Sequence, residues 1–175
     1  MFKWIEKLNL NRDPDTKDLP PVTKPLSLAE AERKFGRIVA GTWADERKHM
    51  VLLEVPEDLR PHLLNTTTGK HTSRIYINEY VAPALMHAFK NVLDRGQRFK
   101  LKSFDGCLNI RPIRGSTTLS THAYGLAIDI NAKGNGLGET PAIDPDLVKC
   151  FTDAGWIWGG TFKRKDGMHF QIAAW

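Results

Sequence analysis

The chain has 175 residues and a mass of 19.8 kDa, the size of a single ordinary domain. Hydrophobic residues make up 41% and charged residues 26%, which excludes a disordered, fibrous or low-complexity chain. The 25 Lys+Arg against 20 Asp+Glu give a formal charge of +5 and a pI near 9.3. An anionic partner would therefore be attracted, and nucleic acid, an anionic membrane surface and a bacterial cell wall all qualify.

The cysteine count and the apolar stretches indicate whether the chain is disulfide-bonded, secreted or inserted in a membrane. The two cysteines, Cys107 and Cys150, are too few for a disulfide scaffold, and we expect two reduced, buried thiols. Charges interrupt the apolar residues of the N-terminal stretch MFKWIEKLNLNRDPD, so it lacks the continuous apolar region of a secretory signal. We therefore expect synthesis in the cytoplasm without a signal peptide. No stretch approaches the ~20 apolar residues of a membrane span, so we expect no stable membrane insertion.

The first 26 residues differ in composition from the rest. Four prolines stand among charges between residues 11 and 26, a composition typical of an extended linker. Ser27 and Glu30 have the spacing of a capping box and predict a helix through Phe35, ended by Gly36. We therefore divide the chain into a leader or linker, 1–26, and one domain, 27–175.

The patterns along this domain predict an α+β fold, a small antiparallel sheet with flanking helices. Strands are predicted at 37–43, 49–55, 74–78, 99–113 and 125–131, with a final hairpin from WIWGG to MHFQIA. Asn78 is predicted to cap a helix that ends at Gly96, and Asp144 with Pro145 to open another that reaches Gly155.

The glycine-rich segment and the basic residues are weak evidence for binding of a nucleotide or a nucleic acid. The glycines within 131–141 are not followed by the Gly-Lys-Ser/Thr of a phosphate loop, so we interpret the segment as a flexible loop. The basic residues are scattered, apart from Lys163 to Lys165, and no row of aromatic residues accompanies them. We therefore expect no nucleic-acid partner. A basic nucleic-acid-binding protein is kept as the alternative hypothesis that involves no metal.

The segment STHAYGLAIDI, residues 120–130, is the most informative. Strand alternation puts Ile128 and Ile130 on one face and Asp129 on the other. A buried carboxylate there needs a cation or strong donors, and His122 can fold back beside it. Taken alone, a histidine and an aspartate in this relation are more often a structural hydrogen-bonded pair than metal ligands.

The end of the chain adds a third candidate ligand. His169 lies on a predicted strand, and Asp166 precedes it by three residues. Two histidines and one carboxylate, with a fourth position left to water, form a common catalytic zinc site. Asp166 would then be free to act as a base.

These residues together resemble a known family signature. The chain resembles the zinc D-alanyl-D-alanine carboxypeptidase and L-alanyl-D-glutamate endopeptidase family, whose members cut peptidoglycan stem peptides. The resemblance is carried by Ser120-x-His122-x-x-Gly125-x-Ala127-x-Asp129, then Trp158-Gly159-Gly160 and Asp166-x-x-His169-Phe170. The likeness covers about residues 74–173.

The resemblance implies a role for each matching position. It implies Zn2+ as cofactor, with His122, Asp129 and His169 as metal ligands and Asp166 as catalytic base and acid. It also implies an arginine that meets the substrate, for which we favour Arg111 over Arg114.

Other side chains are candidates for contacts with the substrate. Ser120 could hold the substrate, orient His122 or only cap a turn. Trp158 could wall the cleft, whereas we expect Trp156 to pack in the core. The candidate substrate-binding residues are Arg114, Ser120, Tyr124 and Trp158.

The residues beside the last histidine bear on the bond that is cut. The carboxypeptidase and dipeptidase branches of the family usually carry Glu, with a Trp beside that histidine, whereas this chain has Asp166 and Met168. This favours a phage or prophage endolysin-like enzyme that hydrolyses the L-Ala–D-Glu bond of the stem peptide at the bacterial cell wall, as a monomer. The alternatives are a D-Ala-D-Ala carboxypeptidase or dipeptidase, and a non-catalytic zinc-bearing wall-binding module.

Overall fold

A computed structural model describes residues 24–38 and 48–173 of the chain, which form an α+β domain as predicted. The α-helices of this part are α1 (Leu28–Phe35), α2 (Ala82–Asp94) and α3 (Pro145–Thr152). Its strands are β1 (Met50–Glu54), β2 (Leu64–Asn65), β3 (Lys70–His71), β4 (Arg74–Asn78), β5 (Phe104–Gly106), β6 (Ala127–Ile130), β7 (Trp156–Trp158) and β8 (His169–Ile172). Short 3-10 helices cover Glu57–His62, Arg98–Lys100, Thr121–Tyr124 and Gly159–Thr161.

A four-stranded antiparallel sheet in the order β5-β6-β8-β7 is the largest of three sheets among the described residues. The other two are the antiparallel pairs β1-β4 and β2-β3. Strands β6 and β8 lie at the centre of the large sheet, so both have partners on each side. The predicted final hairpin is confirmed, since β7 pairs with β8.

The hydrophobic core lies between this sheet and the helices. Ile128, Ile130 and Phe170 point into it from the central strands and are fully buried. The Phe170 ring packs on Phe151 of α3, with the ring centroids 4.9 Å apart. Trp156 is also fully buried, so its predicted place in the core is confirmed.

Helix α1 begins where the capping box predicts. The Ser27 hydroxyl accepts a bond from the Glu30 N–H, and the Glu30 carboxylate accepts one from the Ser27 N–H at 2.8 Å. Gly36, with φ of 85°, ends the helix. The boundary between a leader at 1–26 and a domain at 27–175 stays a prediction, and residues 1–23 lie outside the described part.

The predicted N-cap of the second helix is wrong. Asn78 is instead the last residue of β4, and α2 begins four residues later with Val81 as its N-cap. Sequence spacing could not show this, because the Asn78 side chain is held by a distant segment: its amide donates to the Tyr124 carbonyl at 3.1 Å. Its side-chain oxygen accepts from the Tyr80 N–H, which makes a turn before the helix.

The long strand predicted at 99–113 is also wrong, since only Phe104–Gly106 forms a strand. The chain leaves the sheet after residue 106 and bonds to the segment that carries His122. The Asn109 N–H donates to the His122 carbonyl, and the Ser120 N–H donates to the Arg111 carbonyl, each at 3.0 Å. These local bonds replace a strand ladder.

Most of the other predicted strands, the helix before Gly155 and the two reduced cysteines are present in the structure. The strands within 49–55, 74–78 and 125–131 and the helix opened by Asp144 are confirmed. Cys107 and Cys150 are free and buried. Most of the strand predicted at 37–43 falls on residues 39–47, which lie outside the described part. Among the described residues, no helix has the length and apolar character that a membrane crossing requires.

Candidate functional site

Two of the candidate metal ligands lie opposite each other on the central strands. Asp129 of β6 and His169 of β8 are register partners, so their side chains leave the sheet side by side on the same face. Their neighbours Ile128 and Phe170 point to the core instead. Strand alternation therefore separates the polar face from the apolar face, as the sequence pattern predicts.

His122 reaches this face from a tight turn before β6. Ser120 is the N-cap of the Thr121–Tyr124 turn, and its hydroxyl accepts from the His122 N–H at 3.4 Å. Gly125 ends the turn with φ of 62°, and a Cβ there would lie 3.0 Å from the Asn78 nitrogen and 2.6 Å from the Met50 methyl group. The turn therefore needs glycine both for its backbone angle and for space.

The three side chains form one buried cluster. The distances are 3.2 Å from His122 Nε2 to Asp129 Oδ1, 3.1 Å from His122 Nε2 to His169 Nδ1, and 3.2 Å from His169 Nδ1 to Asp129 Oδ1. All three are buried: His122 is 2% exposed, and Asp129 and His169 are each 7% exposed. Three ligand atoms around a tetrahedral zinc, with bonds of about 2.0–2.1 Å, would stand about 3.3 Å apart. The geometry of the cluster therefore suits a metal ion of this size.

The outer nitrogens of both imidazoles have acceptors as partners. His122 Nδ1 donates to the Cys107 carbonyl at 2.6 Å. His169 Nε2 donates to Gln171 Oε1 at 3.1 Å, because the Gln171 amide nitrogen faces the Leu26 carbonyl at 3.0 Å. Each neutral ring carries one hydrogen, so both inner nitrogens present lone pairs to the Asp129 carboxylate. Three acceptors that face each other in a buried space repel one another unless a cation lies among them, either a metal ion or a proton on an inner nitrogen that donates to Asp129.

Charge interactions within the cluster shift the pKa values of its members. Burial opposes ionisation of Asp129, but hydrogen bonds and charge from His122 and His169 outweigh it, so the pKa of Asp129 lies well below its usual range. Burial also opposes protonation of His169, but Asp129 outweighs it and the pKa of His169 is raised. The carboxylate is therefore ionised and ready to bind a cation.

Asp166 lies beside the cluster with one oxygen unpaired. Its Oδ1 is buried and has no hydrogen-bond partner in the part of the chain that the structure describes. Burial raises the pKa of this carboxyl, and the negative charge of Asp129 adds to the effect, while His169, His122 and Arg111 act in the opposite direction. A carboxyl with a raised pKa beside a candidate metal site suits a group that accepts and returns a proton.

The backbone around Asp166 is fixed by close packing against Gly159. The Asp166 N–H donates to the Gly159 carbonyl at 3.0 Å. A Cβ at Gly159 would lie 2.5 Å from the Asp166 carbonyl oxygen and 3.1 Å from the His169 Cβ. The half-buried Trp158 donates its indole N–H to the Gly167 carbonyl at 2.7 Å, next to Asp166. This tryptophan therefore supports the Asp166 loop in addition to any contact with substrate.

The predicted substrate residues are more widely spread. Arg111 and Arg114 are exposed on the loop before His122; Arg111 acts on the charge of Asp166, whereas the Arg114 carbonyl accepts from the Arg164 guanidinium at 3.3 Å. The Tyr124 hydroxyl is turned toward another segment, since it donates to the Gly36 carbonyl and accepts from the Ile38 N–H. The charge of Arg111 is therefore close enough to lower the pKa of Asp166, although its guanidinium donates to the Pro112 carbonyl at 3.4 Å, and Tyr124 has structural partners.

Three contributors to the site were missed by sequence reasoning. They are the Cys107 carbonyl, the Gln171 side chain, and the Phe162 ring, whose centroid is 6.1 Å from that of His169. Gln171 had a signal, since it lies two residues after His169 and therefore on the same face of the strand. The other two had none, because a backbone carbonyl and a loop aromatic acquire their place only in the folded chain.

Part of the chain matches a known protein family. Residues 114–172, 59 of the 175 residues, match the model of a family described as D-alanyl-D-alanine carboxypeptidase. The matched segment contains His122, Asp129, Asp166 and His169. The match supports a zinc peptidase and, with the buried His-Asp-His group, a metallopeptidase. No curated protein and no solved structure matches the chain.

Proposed function

We propose that the protein is a zinc-dependent peptidoglycan peptidase. The observation that carries this proposal is the convergence of two imidazole lone pairs and one ionised carboxylate within 3.2 Å of each other, with both ring N–H groups directed outward. Such a donor set fits zinc and leaves a fourth position for water. The match of residues 114–172 to the carboxypeptidase family supports a substrate of this class.

His122, Asp129 and His169 are the proposed zinc ligands. Two neutral imidazoles and one carboxylate contribute a charge of −1, so the loaded centre retains a charge of about +1. The chemistry that zinc supplies when bound is polarisation of the attacking water and of the scissile carbonyl. The Cys107 carbonyl and Gln171 hold the two rings with their lone pairs toward the ion.

Asp166 is the proposed general base and acid. Its unpaired Oδ1 accepts a proton from the attacking water as the water oxygen bonds to the carbonyl carbon. The same carboxyl then gives that proton to the amine nitrogen as the peptide C–N bond breaks. Arg111 is the proposed cation that stabilises negative charge on the substrate oxygen, with Arg114 as the alternative.

Within this chemistry we propose hydrolysis of the L-Ala–D-Glu bond of the stem peptide, at the bacterial cell wall, by an endolysin-like enzyme. Asp166 and Met168 before the last histidine support this choice. The description of the matched family favours the second candidate, release of terminal D-Ala by a carboxypeptidase or dipeptidase. The unpaired Asp166 oxygen argues against a non-catalytic module, because a binding site has no use for a free buried carboxyl.

Product analysis on purified peptidoglycan distinguishes these candidates. The zinc-loaded protein is incubated with peptidoglycan, and new termini are identified by mass spectrometry, with His122→Ala as the inactive control. New N-terminal D-Glu supports the endopeptidase, and released D-Ala supports the carboxypeptidase. The absence of any product from a zinc-loaded, folded protein would contradict a peptidase.

A further inference from the structure

Gln171 links the metal cluster to the segment that precedes helix α1. The residue is buried, with an exposed fraction of only 7%. One end of the amide accepts from His169 Nε2 at 3.1 Å, and the other donates to the Leu26 carbonyl at 3.0 Å. The side chain therefore joins residues that are 143 positions apart in sequence, Leu26 and His169.

The Leu26 carbonyl decides which way the Gln171 amide points. A backbone carbonyl can only accept, so it selects the NH2 end of the amide and leaves Oε1 toward His169. An amide oxygen can also only accept, so the His169 hydrogen must sit on Nε2. Nδ1 is then the nitrogen with the free lone pair toward Asp129.

Leu26 is itself held from two sides. Its N–H donates to the Ile172 carbonyl at 3.2 Å, and the neighbouring Pro25 forms a bridge with Ala173 beyond the end of β8. Its side chain is 2% exposed and lies in the core, as does that of Ala31. These two residues occupy the positions of a hydrophobic staple around the Ser27 cap, which fixes the direction of the chain where it enters α1.

We infer that Gln171 is a positioning residue and that residues 25–26 are part of the metal site through it. The segment fixes the amide of Gln171, and the amide fixes the tautomer and the ring orientation of His169. This inference rests on the proposed zinc site. It assigns a role to the end of the predicted leader, which the proposed mechanism does not otherwise use.

The first test is zinc affinity, measured by competition with a chelator. Gln171→Leu should weaken zinc binding about 10- to 100-fold, because the partner that orients a metal-bound histidine is lost. Gln97→Leu is the matched control, since the Gln97 amide also donates to a backbone carbonyl, that of Arg95, outside the site. This control should bind zinc as the wild type does. Unchanged affinity in folded Gln171→Leu would overturn the inference.

A coupling experiment tests the role of the segment. Leu26→Ala loosens its anchor in the core and should weaken zinc binding several-fold in the wild-type background. In the Gln171→Leu background the same change should have almost no effect, because the connection is already broken. Equal effects of Leu26→Ala in both backgrounds would show that the segment does not act through Gln171.

The ring tautomer gives a test that needs no variant. Nitrogen NMR of the zinc-free wild-type protein, in the neutral form of His169, should show hydrogen on Nε2 and none on Nδ1. Hydrogen on Nδ1 would contradict the inference. A wild-type protein that binds no zinc would instead contradict the proposed function, so the two failures are distinguishable.

Discussion

At the scale of single residues, the proposed site separates the candidate metal ligands from the proposed proton-transfer group. His122, Asp129 and His169 face one another, whereas the Asp166 oxygen is buried beside them without a partner among the described residues. The proposed mechanism therefore assigns metal binding and proton transfer to different side chains. Substitutions should affect them independently.

Asp166→Asn tests the proton-transfer role. The variant keeps the size of the side chain but removes its basicity, so we expect kcat to fall by about 10²- to 10⁴-fold while zinc content stays at the wild-type value. Zinc is measured on the purified protein and kcat on peptidoglycan fragments. Asp58→Asn, an exposed carboxylate in the Glu57–His62 turn, is the control. Retained activity in Asp166→Asn would exclude it as the base.

Gly159→Ala tests the close approach between the Asp166 loop and β8. The new methyl group would lie 2.5 Å from the Asp166 carbonyl oxygen, so the backbone must shift. We expect a loss of about 1–3 kcal/mol in the free energy of unfolding, as for other overpacked sites, together with reduced kcat. Gly136→Ala is the matched control, because its nearest neighbour is the flexible Glu139 side chain at 3.4 Å. Equal stability of the two variants would contradict the packing argument.

At the scale of elements, short segments with strong local signals surround the site. Helix α1 has only eight residues, so its start depends on the capping box rather than on length. The Ser27 hydroxyl and backbone lower the pKa of Glu30 to about 2. The ionised carboxylate is therefore the form that the folded helix favours.

The stability of α1 should depend on pH through Glu30. Because the folded-state pKa is depressed, the stabilisation is present above about pH 4.5 and is lost as pH falls toward 2. Glu30→Gln should therefore unfold more easily than the wild type at pH 6, and the difference should shrink at pH 3. Chemical denaturation of the wild type and of Glu30→Gln at each pH measures this difference in the free energy of unfolding.

A Ser27→Ala background serves as the control for Glu30. This change alone should cost about 1 kcal/mol, the usual value for a lost N-cap. With the partner hydroxyl absent, Glu30→Gln should have a smaller effect than in the wild type. An undiminished effect would show that the carboxylate acts outside the capping box.

At the scale of the whole molecule, the cluster connects segments that are distant in sequence. It joins the Thr121–Tyr124 turn to β6 and β8, and Gln171 extends the connection to residue 26. A ligand that binds only the folded chain stabilises it, and above Kd the gain in the free energy of unfolding grows with the logarithm of the ligand concentration. Zinc should therefore stabilise the entire domain.

Removal and addition of zinc should change the thermal midpoint. At a free zinc concentration of 100 times Kd the gain is about 2.7 kcal/mol, which raises Tm by roughly 5–11 °C for a domain of this size. Calorimetry with chelator and then with zinc measures the change. His122→Ala should abolish it, and His87→Ala, a half-buried histidine on α2, should keep it. No change in the wild type would contradict a zinc site that forms only in the folded chain.

Local patterns in the sequence determined much of this protein. Alternation along residues 126–130 placed Asp129 opposite the apolar face, and the Ser27–Glu30 spacing located the start of α1. Both depend on residues within a few positions of each other. The resemblance of the segments around His122, Asp129 and His169 to a family signature predicted that these three side chains meet.

Only the tertiary structure decided how the site is supported. It showed which nitrogen of each histidine faces Asp129, because the partners of the outer nitrogens are the Cys107 carbonyl and Gln171. It also showed that α2 does not begin at Asn78. The side-chain amide of Asn78 donates instead to the carbonyl of Tyr124, 46 positions along the chain. Hydrogen bonds of this kind form between segments that only folding brings together. Their geometry therefore leaves no periodic pattern in the sequence.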